Sequence, residues 1–422
     1  MKHTLFFLLI FWGTASFAQH SQPFTLAYCI QRATDNSPLV KQRQWLPDAM
    51  DFKLKGLNIN YMPAIYLNGQ ATLQSDITSI PVKIPGLQIE EMKKDQYKMT
   101  LDINQNVYDG GNTRQLKNIE KITLQVDQQK LEADLYQIKD KISQSFFTVL
   151  LLQENEKLLK VNLKDLQNKL DKTESGIRNG IVLPSNANIL KAEMLRIEQQ
   201  IVEIQEGRKG LLAVLGEMIG ETIDDSTVFV LPTNNAASCV FENKRIEMNV
   251  FDMQMRRLDA MKSLNRVKTM PRLVAIGQAG YGRPGLDMFK ADFDTYYLIG
   301  AKLSWNIWNW NQNKKDNQWL DVQKKIVESQ KNNFNKNIKI LSEQQKHNVS
   351  KYVELIEKDK EIIALRSSIV QTCSSQLDNG VITSTEYVTE LNNMLQAKLN
   401  MESHKIQLEK SIADYLITNG IY

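Results

Sequence analysis

Two hydrophobic rhythms alternate along this chain. In residues 63–75, Ile65, Leu67, Ala71 and Leu73 fall on one side and Asn68, Gln70, Thr72 and Gln74 on the other. In residues 97–108, Tyr97, Met99, Leu101, Ile103 and Val107 oppose Lys98, Thr100, Asp102, Asn104 and Asn106. A period of two is the spacing of a strand. Residues 272–282 and 296–308 repeat the phase less cleanly, through Leu273, Ala275, Ala279 and Tyr281, then Tyr297, Ile299, Ala301, Leu303, Trp305 and Ile307. Elsewhere the period lengthens. From 113 to 175 no Pro or Gly intervenes, and Leu124, Leu131, Ile138, Leu152, Leu159 and Leu166 form one heptad seam. Leu135, Ile142, Val149, Leu163, Leu170 and Ile177 form a second, which Val349, Ile356, Ile363, Val370 and Leu377 continue in the later half. A helix over 113–178 spans on the order of 100 Å. That is too long for a globular core and implies a left-handed coiled-coil assembly.

The two rhythms occur twice in the same order. Asn106-Val107-Tyr108-Asp109 recurs 200 residues on as Asn306-Ile307-Trp308-Asn309, and Asn179-Gly180-Ile181 as Asn379-Gly380-Val381. Upstream the displacement is 208, since Pro63 meets Pro271 and the first half carries the longer loop between its strands. An internal two-fold repeat of one supersecondary unit is the plain reading. Residues 19–236 form the first copy: a helix, strands 63–75 and 97–108, a long helix 113–178 and a return helix 185–217. Residues 237–422 form the second: a helix, strands 272–282 and 296–308, a long helix 313–378 and a return helix 384–418. Asp102 and Lys302, opposite in sign, hold matching positions on the polar strand face.

Alternation with a charged face suits a strand between lipid and a watery lumen, and it suits a half-buried antiparallel sheet in a soluble protein. Strand length and aromatic placement favour the first. About 12 residues tilted at ~45° cover a hydrocarbon core. Aromatics gather at both ends, with Tyr97, Tyr281, Tyr296 and Tyr297 at one rim and Tyr61, Tyr66, Tyr108, Trp305, Trp308 and Trp310 at the other. Such double girdles mark membrane interfaces.

Composition then removes alternatives. Residues 1–18 read as a signal peptide: Lys2 and His3, an apolar run, and the small-x-small cut at Ser16-Phe17-Ala18, so the mature chain is expected to start near Gln19. No other stretch has the ~20 apolar residues of a membrane-spanning helix, so membrane entry would be by strands. Cys29, Cys239 and Cys373 are far apart and odd in number, which argues against a disulfide framework. His3, His20, His347 and His404 form no ligand pair at helical spacing, and neither metal nor cofactor is expected. The formal charge of +4 over 422 residues is small and mixed in sign, unlike a nucleic-acid footprint. Gly277-Gln278-Ala279-Gly280-Tyr281-Gly282 lies within a strand and opens no helix, so it fails the dinucleotide test. With no Walker loop and no nucleophile elbow, an enzyme is not expected.

The order of elements, over essentially the whole chain from Gln19 onward, resembles the TolC-like outer-membrane efflux factor family. Val107-Tyr108-Asp109-Gly110-Gly111-Asn112-Thr113-Arg114 is similar to that family's strand-to-helix signature. Two glycines permit the sharp exit from a tilted strand, and Asn112 or Thr113 is placed to cap the helix. The second copy has Asn309-Trp310-Asn311-Gln312 instead, so its turn is expected to differ. The helix-helix turns match as well, in Asn179-Gly180-Ile181-Val182-Leu183-Pro184-Ser185 and Asn379-Gly380-Val381-Ile382-Thr383-Ser384, where Gly ends one helix and Ser185 or Ser384 starts the next.

The resemblance implies a mixed α+β outer-membrane protein with a large periplasmic part. Four transmembrane strands per chain would contribute to a shared trimeric twelve-stranded barrel, with a long periplasmic coiled-coil barrel beneath it. It would be the passive channel of a tripartite efflux or type I secretion system, working with a periplasmic adaptor and an inner-membrane transporter. Asp102 and Lys302 would face the lumen. Gly180, Ile181, Val182, Ser185, Gly380, Val381, Ile382 and Ser384 would form the adaptor-docking tips. Glu386 stands where the family's mouth carries a ring aspartate, and it reads as well as a solvated helix charge. Thr389 is neutral where a second acid falls, and Leu377 and Ile382 replace the family's mouth-closing Tyr and Arg. The alternative is a soluble periplasmic coiled-coil scaffold or adaptor.

Overall fold

A computed structural model describes residues 24–77, 92–232, 242–287 and 290–422. The expected signal peptide, Cys239 and most of the first inter-strand loop lie outside the described residues. The helices are α1 (Leu26–Asn36), α2 (Gln42–Asn58), α3 (Asn112–Tyr136), α4 (Ile138–Arg178), α5 (Pro184–Ile219), α6 (Ile246–Val267), α7 (Gln312–Asp378) and α8 (Ser384–Thr418). Strands β1 (Ala64–Leu73) and β2 (Asp95–Tyr108) separate α2 from α3, and β3 (Arg272–Arg283) and β4 (Asp294–Ser304) separate α6 from α7. Two compact units result, and each draws on both halves of the sequence. One takes residues up to Ser37, Ile138–Cys239 and Gln344–Tyr415; the other takes Pro38–Gln137, Val240–Glu343 and Leu416–Tyr422.

The sheet lies in the second of these units, in the order β1-β2-β3-β4 with every neighbour antiparallel. Its register puts Leu67 beside Leu101, Leu101 beside Ala279, and Ala279 beside Tyr297. Because side chains alternate, the apolar sets of all four strands share one face, and most of those residues are exposed. A register shift between Asn106 and Tyr108 brings Tyr108 into the row of Leu273, on that apolar face. Two rim residues depart from expectation. Tyr66 pairs with Asp102 and so stands on the polar face. Tyr296 also lies there: a Cβ on Gly280 would fall 2.3 Å from its ring. Strand β4 ends at Ser304 rather than 308, and the Trp305 indole instead donates to the Thr269 carbonyl (3.0 Å).

The helices of this unit are tied in rungs. Helix α3 packs on both α2 and α6. Arg43 pairs with Glu132 (2.8 Å) and Lys53 with Glu120 (2.9 Å) between α2 and α3. Lys331–Asp252 (2.6 Å), Lys324–Asp259 (2.8 Å) and Lys262–Asp321 join α7 to α6.

The other unit is helical. Thr25 caps α1 by accepting the Tyr28 N–H (3.2 Å); Phe24 and Phe146 lie against Phe229, and Phe147 against Phe146, with ring centroids 5.4–5.5 Å apart. Farther along, Leu159, Leu166 and Leu170 of α4 meet Leu190 and Ile197 of α5, Val370 and Leu377 of α7, and Leu391 and Leu395 of α8 in one buried cluster. Of these, Leu159, Leu166, Leu170, Val370 and Leu377 stand in the seams expected from heptad spacing. The helix expected over 113–178 is broken at Gln137, whose N–H reaches the Ala133 and Leu135 carbonyls. Neither Pro nor Gly marks that break.

Candidate functional site: sheet faces, turns and hairpin tips

On the polar sheet face, Asp102 accepts from Asn68 Nδ2 and Gln278 Nε2, both at 2.5 Å, and from the Thr100 hydroxyl at 3.0 Å. One carboxylate thus cross-links β1, β2 and β3. Lys302 is on the same face but in another row, beside Val274 rather than Gln278. Lys98 joins the polar row, its ammonium 5.4 Å from the Tyr296 ring.

The first strand-to-helix exit is held by Asp109 rather than by Asn112 or Thr113. Its carboxylate accepts the Thr113 N–H (2.7 Å), the Gly111 N–H (2.9 Å) and the Tyr61 hydroxyl (3.0 Å). Burial opposes ionisation of Asp109, but the donors from Thr113, Tyr61 and Gly111 outweigh it and hold the carboxyl below its ordinary value. Gly110 (φ 70°) and Gly111 (φ 85°) are both left-handed. The second exit has the same backbone: Trp310 (φ 53°) and Asn311 (φ 58°) take the left-handed pair that glycines take in the first. The expected difference therefore lies in capping, not in handedness. Here the Asn309 carbonyl accepts Gln312 N–H (3.0 Å) and the Asn311 carbonyl accepts Lys314 N–H (3.0 Å).

The two hairpin tips share one geometry. Gly180 N–H bonds Ile177 O and Ile181 N–H bonds Gly176 O, both at 2.9 Å; Gly380 and Val381 repeat this at 3.0 and 2.9 Å with Leu377 and Gln376. Both glycines are left-handed with nothing near a Cβ, and Ile181, Leu183 and Val381 are exposed. Val182 and Ile382 are half-buried, Ile382 against the helical cluster. Ser185 is exposed, but α5 begins with Pro184 behind Leu183, so no serine caps it. Ser384 is fully buried, its N–H donating to Asn186 Oδ1 (3.3 Å); its side chain is not available at the tip surface. Thr383 takes the cap instead. Glu386 accepts the Thr383 N–H (2.8 Å) and hydroxyl (3.0 Å) while its own N–H reaches Thr383 Oγ1 (3.3 Å), a reciprocal capping box. The Thr383 N–H, then its hydroxyl, hold the Glu386 carboxyl below the usual range.

Near the tips the periodicity concealed a buried cation. Lys169 of α4 is 4% exposed, and its ammonium meets Asp378 (2.6 Å), the Ser374 carbonyl (2.8 Å) and hydroxyl (2.9 Å), and the Tyr387 ring (5.1 Å). Burial, then the charges of Asp165, Asp378 and Cys373, push the Tyr387 phenol up to about 12. Glu156, Asn162, Lys169 and Thr173 all turn inward along α4, where a seam of leucines alone was expected. The available signal was their spacing of three to four, in step with Leu159 and Leu166.

Among the described residues no acidic, His or Cys cluster could hold a metal ion, and no helix is long and apolar enough to cross a membrane. Residues 29–220, just under half of the chain, match the outer membrane efflux protein family. Among solved structures, the outer membrane protein VceC of Vibrio cholerae superposes with a TM-score of 0.66 at 12% identity, over 94% of this chain and 97% of that one. The CmeC outer membrane channel of Campylobacter jejuni gives 0.64 at 15% identity, over 94% and 85%. The open state of the Neisseria gonorrhoeae MtrE outer membrane channel gives 0.65 at 11%, over 94% and 89%. No curated protein sequence matches the chain. The chain thus shares the fold of these outer-membrane proteins along nearly all of its length.

Proposed function

We propose that this protein is the outer-membrane channel of a tripartite efflux or type I secretion system, a homotrimer that conducts substrates passively and performs no catalysis. The observation that carries the reading is the sheet: four strands present one continuous apolar face, and among the described residues β1 and β4 have no partner on their outer edges. In lipid each unpaired backbone group costs several kcal/mol, and bacterial barrels start at about eight strands. Three copies close those edges into one barrel, with Asp102 and Lys302 toward the lumen. The duplicated plan of the chain makes such a ring nearly regular. A soluble scaffold would leave the apolar face wet. The exposed tip residues Gly180, Ile181, Gly380 and Val381, with the half-buried Val182 and Ile382 beside them, present a small, apolar surface suited to a periplasmic adaptor that couples to an inner-membrane transporter. Glu386 is then a cap at the mouth whose charge faces water.

Single cysteines at Asp287 and at Asn179, treated in intact cells with an impermeant thiol reagent, test the topology. Labelling at Asp287 with protection at Asn179 is expected. The opposite pattern would place the tips outside and end the channel reading.

A further inference from the structure

The two strand-to-helix exits differ again in the charge just below them. At the first, Tyr61 and the opening turns of α3 border an open groove of about 470 Å³, lined by Arg114, Gln115, Lys117, Asn118 and Lys121 as well. Positions 114, 117 and 121 share one helix face, and none of the lining residues is acidic. Arg114 and Lys121 are exposed; Lys117 is half-buried and donates to Asn58 Oδ1. Unlike the cations of the rungs, none of these three pairs with a carboxylate among the described residues. The nearest acids are engaged elsewhere: Glu120 with Lys53, and Asp109 with its own three donors. The helix terminus is not itself the site, since the N–H groups of Asn112, Thr113 and Gln115 already donate to Asp109 and Gly111.

The groove adjoins the apolar side of the sheet. Gln105 stands in the row of Ala275, on the apolar face, and its side-chain amide donates to the Tyr61 carbonyl (3.3 Å). The second copy repeats this bond at displacements of 200 and 208, with Trp305 in place of Gln105 and Thr269 in place of Tyr61 (3.0 Å). It does not repeat the charge. Arg114, Lys117 and Lys121 become Lys314, Asn317 and Asp321, and Asp321 pairs with Lys262. The same backbone path and the same side-chain bond are thus made without the three cations, so the fold does not require them.

We infer that this groove binds the phosphate of an anionic glycerophospholipid in the periplasmic leaflet, with the acyl chains along the apolar sheet face. A cluster of unpaired cations at the margin of an apolar surface suits a molecule that carries a charged head on an apolar tail. A free anion would satisfy only the cations. The Arg114 guanidinium offers two parallel donors to phosphate oxygens, while Lys117 and Lys121 act as point charges beside it and the Asn118 amide adds a donor. Cations just outside the hydrocarbon each strengthen attraction to an anionic lipid surface. The inference rests on the channel reading, which sets the sheet in lipid and the exits at its periplasmic margin.

The membrane-extracted full chain, washed free of lipid in non-ionic detergent, tests it. It is titrated with phosphatidylglycerol, phosphatidylcholine and inorganic phosphate, and bound molecules are counted by native mass spectrometry. Phosphatidylglycerol is expected to fill one site per chain ahead of phosphatidylcholine, and inorganic phosphate not to displace it. Arg114→Gln with Lys121→Gln should weaken phosphatidylglycerol binding roughly thirtyfold, at about fivefold per cation. Arg114→Lys with Lys121→Arg should keep most of the affinity, and Lys314→Gln at the second exit should change nothing. Both substituted side chains are exposed and outside the rungs, and melting temperatures equal to that of the wild type verify the fold of each variant. Equal affinity for the two lipids, or no loss in the double Gln variant, would overturn the groove as a site and leave the channel standing. Displacement of the lipid by inorganic phosphate at equal concentration would assign a free anion instead and overturn the inference too. A chain that does not partition into membranes would remove the channel reading itself.

Discussion

The two strand-to-helix exits show one backbone path reached by two chemistries. At Gly110-Gly111 the left-handed pair is free of side-chain penalty, and a buried carboxylate, Asp109, gathers three donors beneath it. At Trp310-Asn311 the same pair is made by residues that resist it, and the Asn309 and Asn311 carbonyls accept from the first helical turn. A left-handed conformation costs an L-residue ~1–2 kcal/mol, less for Asn. The second exit is therefore strained where the first is relaxed and capped. The path is dictated by what a tilted strand needs to enter a long helix; sequence governs how comfortably it is taken.

Substitution at the first exit gives the largest expected effect. Gly110→Ala places a Cβ in the left-handed region, 2.8 Å from Met270 Cβ and 3.3 Å from the Pro271 carbonyl. Strain and clash together are expected to cost about 2–4 kcal/mol, read as a fall in the melting temperature of the extracted protein. Gly111→Ala meets only Val267 Cγ1 at 3.8 Å and should lose about half as much, from the backbone term alone. Equal losses at the two positions would show that the close approach to Met270 does not matter.

The cap comes next. Asp109→Ala strips two backbone N–H groups and the Tyr61 hydroxyl of their acceptor, and is expected to cost about 2 kcal/mol. Asn309→Ala, at the uncapped exit, should stay within about 0.5 kcal/mol. The pH dependence carries a definite sign. The folded Asp109 carboxyl sits below its unfolded value, so its contribution is complete above pH ~4 and is lost as pH falls through the depressed folded value. Asp109→Asn should flatten that part of the acid limb; an unchanged limb would mean the carboxylate adds nothing to the cap.

Much of this fold was legible because its periods are long and unbroken. The strand phases and the leucine seams at 159, 166 and 170 need only alternation and heptads. What escaped was set by neighbours rather than by the local pattern. Tyr66 and Tyr296 look like girdle residues in one dimension, and only the register of β1 with β2 and the bare Gly280 turn them to the polar face. Lys169 drew no notice in the heptad pattern, and its burial comes from Asp378, Ser374 and Tyr387 closing round it. Ser384 looks like a cap, but the preceding Thr383 pairs with Glu386 first. At the first exit the family signature showed the glycines, yet the capping atom belongs to the aspartate that precedes them.

The smallest expected effect isolates the backbone term that the two exits share. Trp310 is exposed and meets Trp308 edge-on at 5.9 Å. Replacing it by Gly or by Ala removes that contact equally, so the difference between the two variants reports the cost of a left-handed φ less the extra unfolded-chain entropy of Gly. Gly relieves ~1–2 kcal/mol of strain but gives back ~0.5–1 kcal/mol in unfolded-chain entropy. The Trp310→Gly protein should thus be the more stable of the pair by about 0.5–1 kcal/mol, measured side by side in one detergent. Subtracting this difference from the Gly110→Ala loss leaves the share due to the clash with Met270. Should Trp310→Ala prove as stable as Trp310→Gly, the second exit is not strained, and the contrast between the two turns reduces to Asp109 alone.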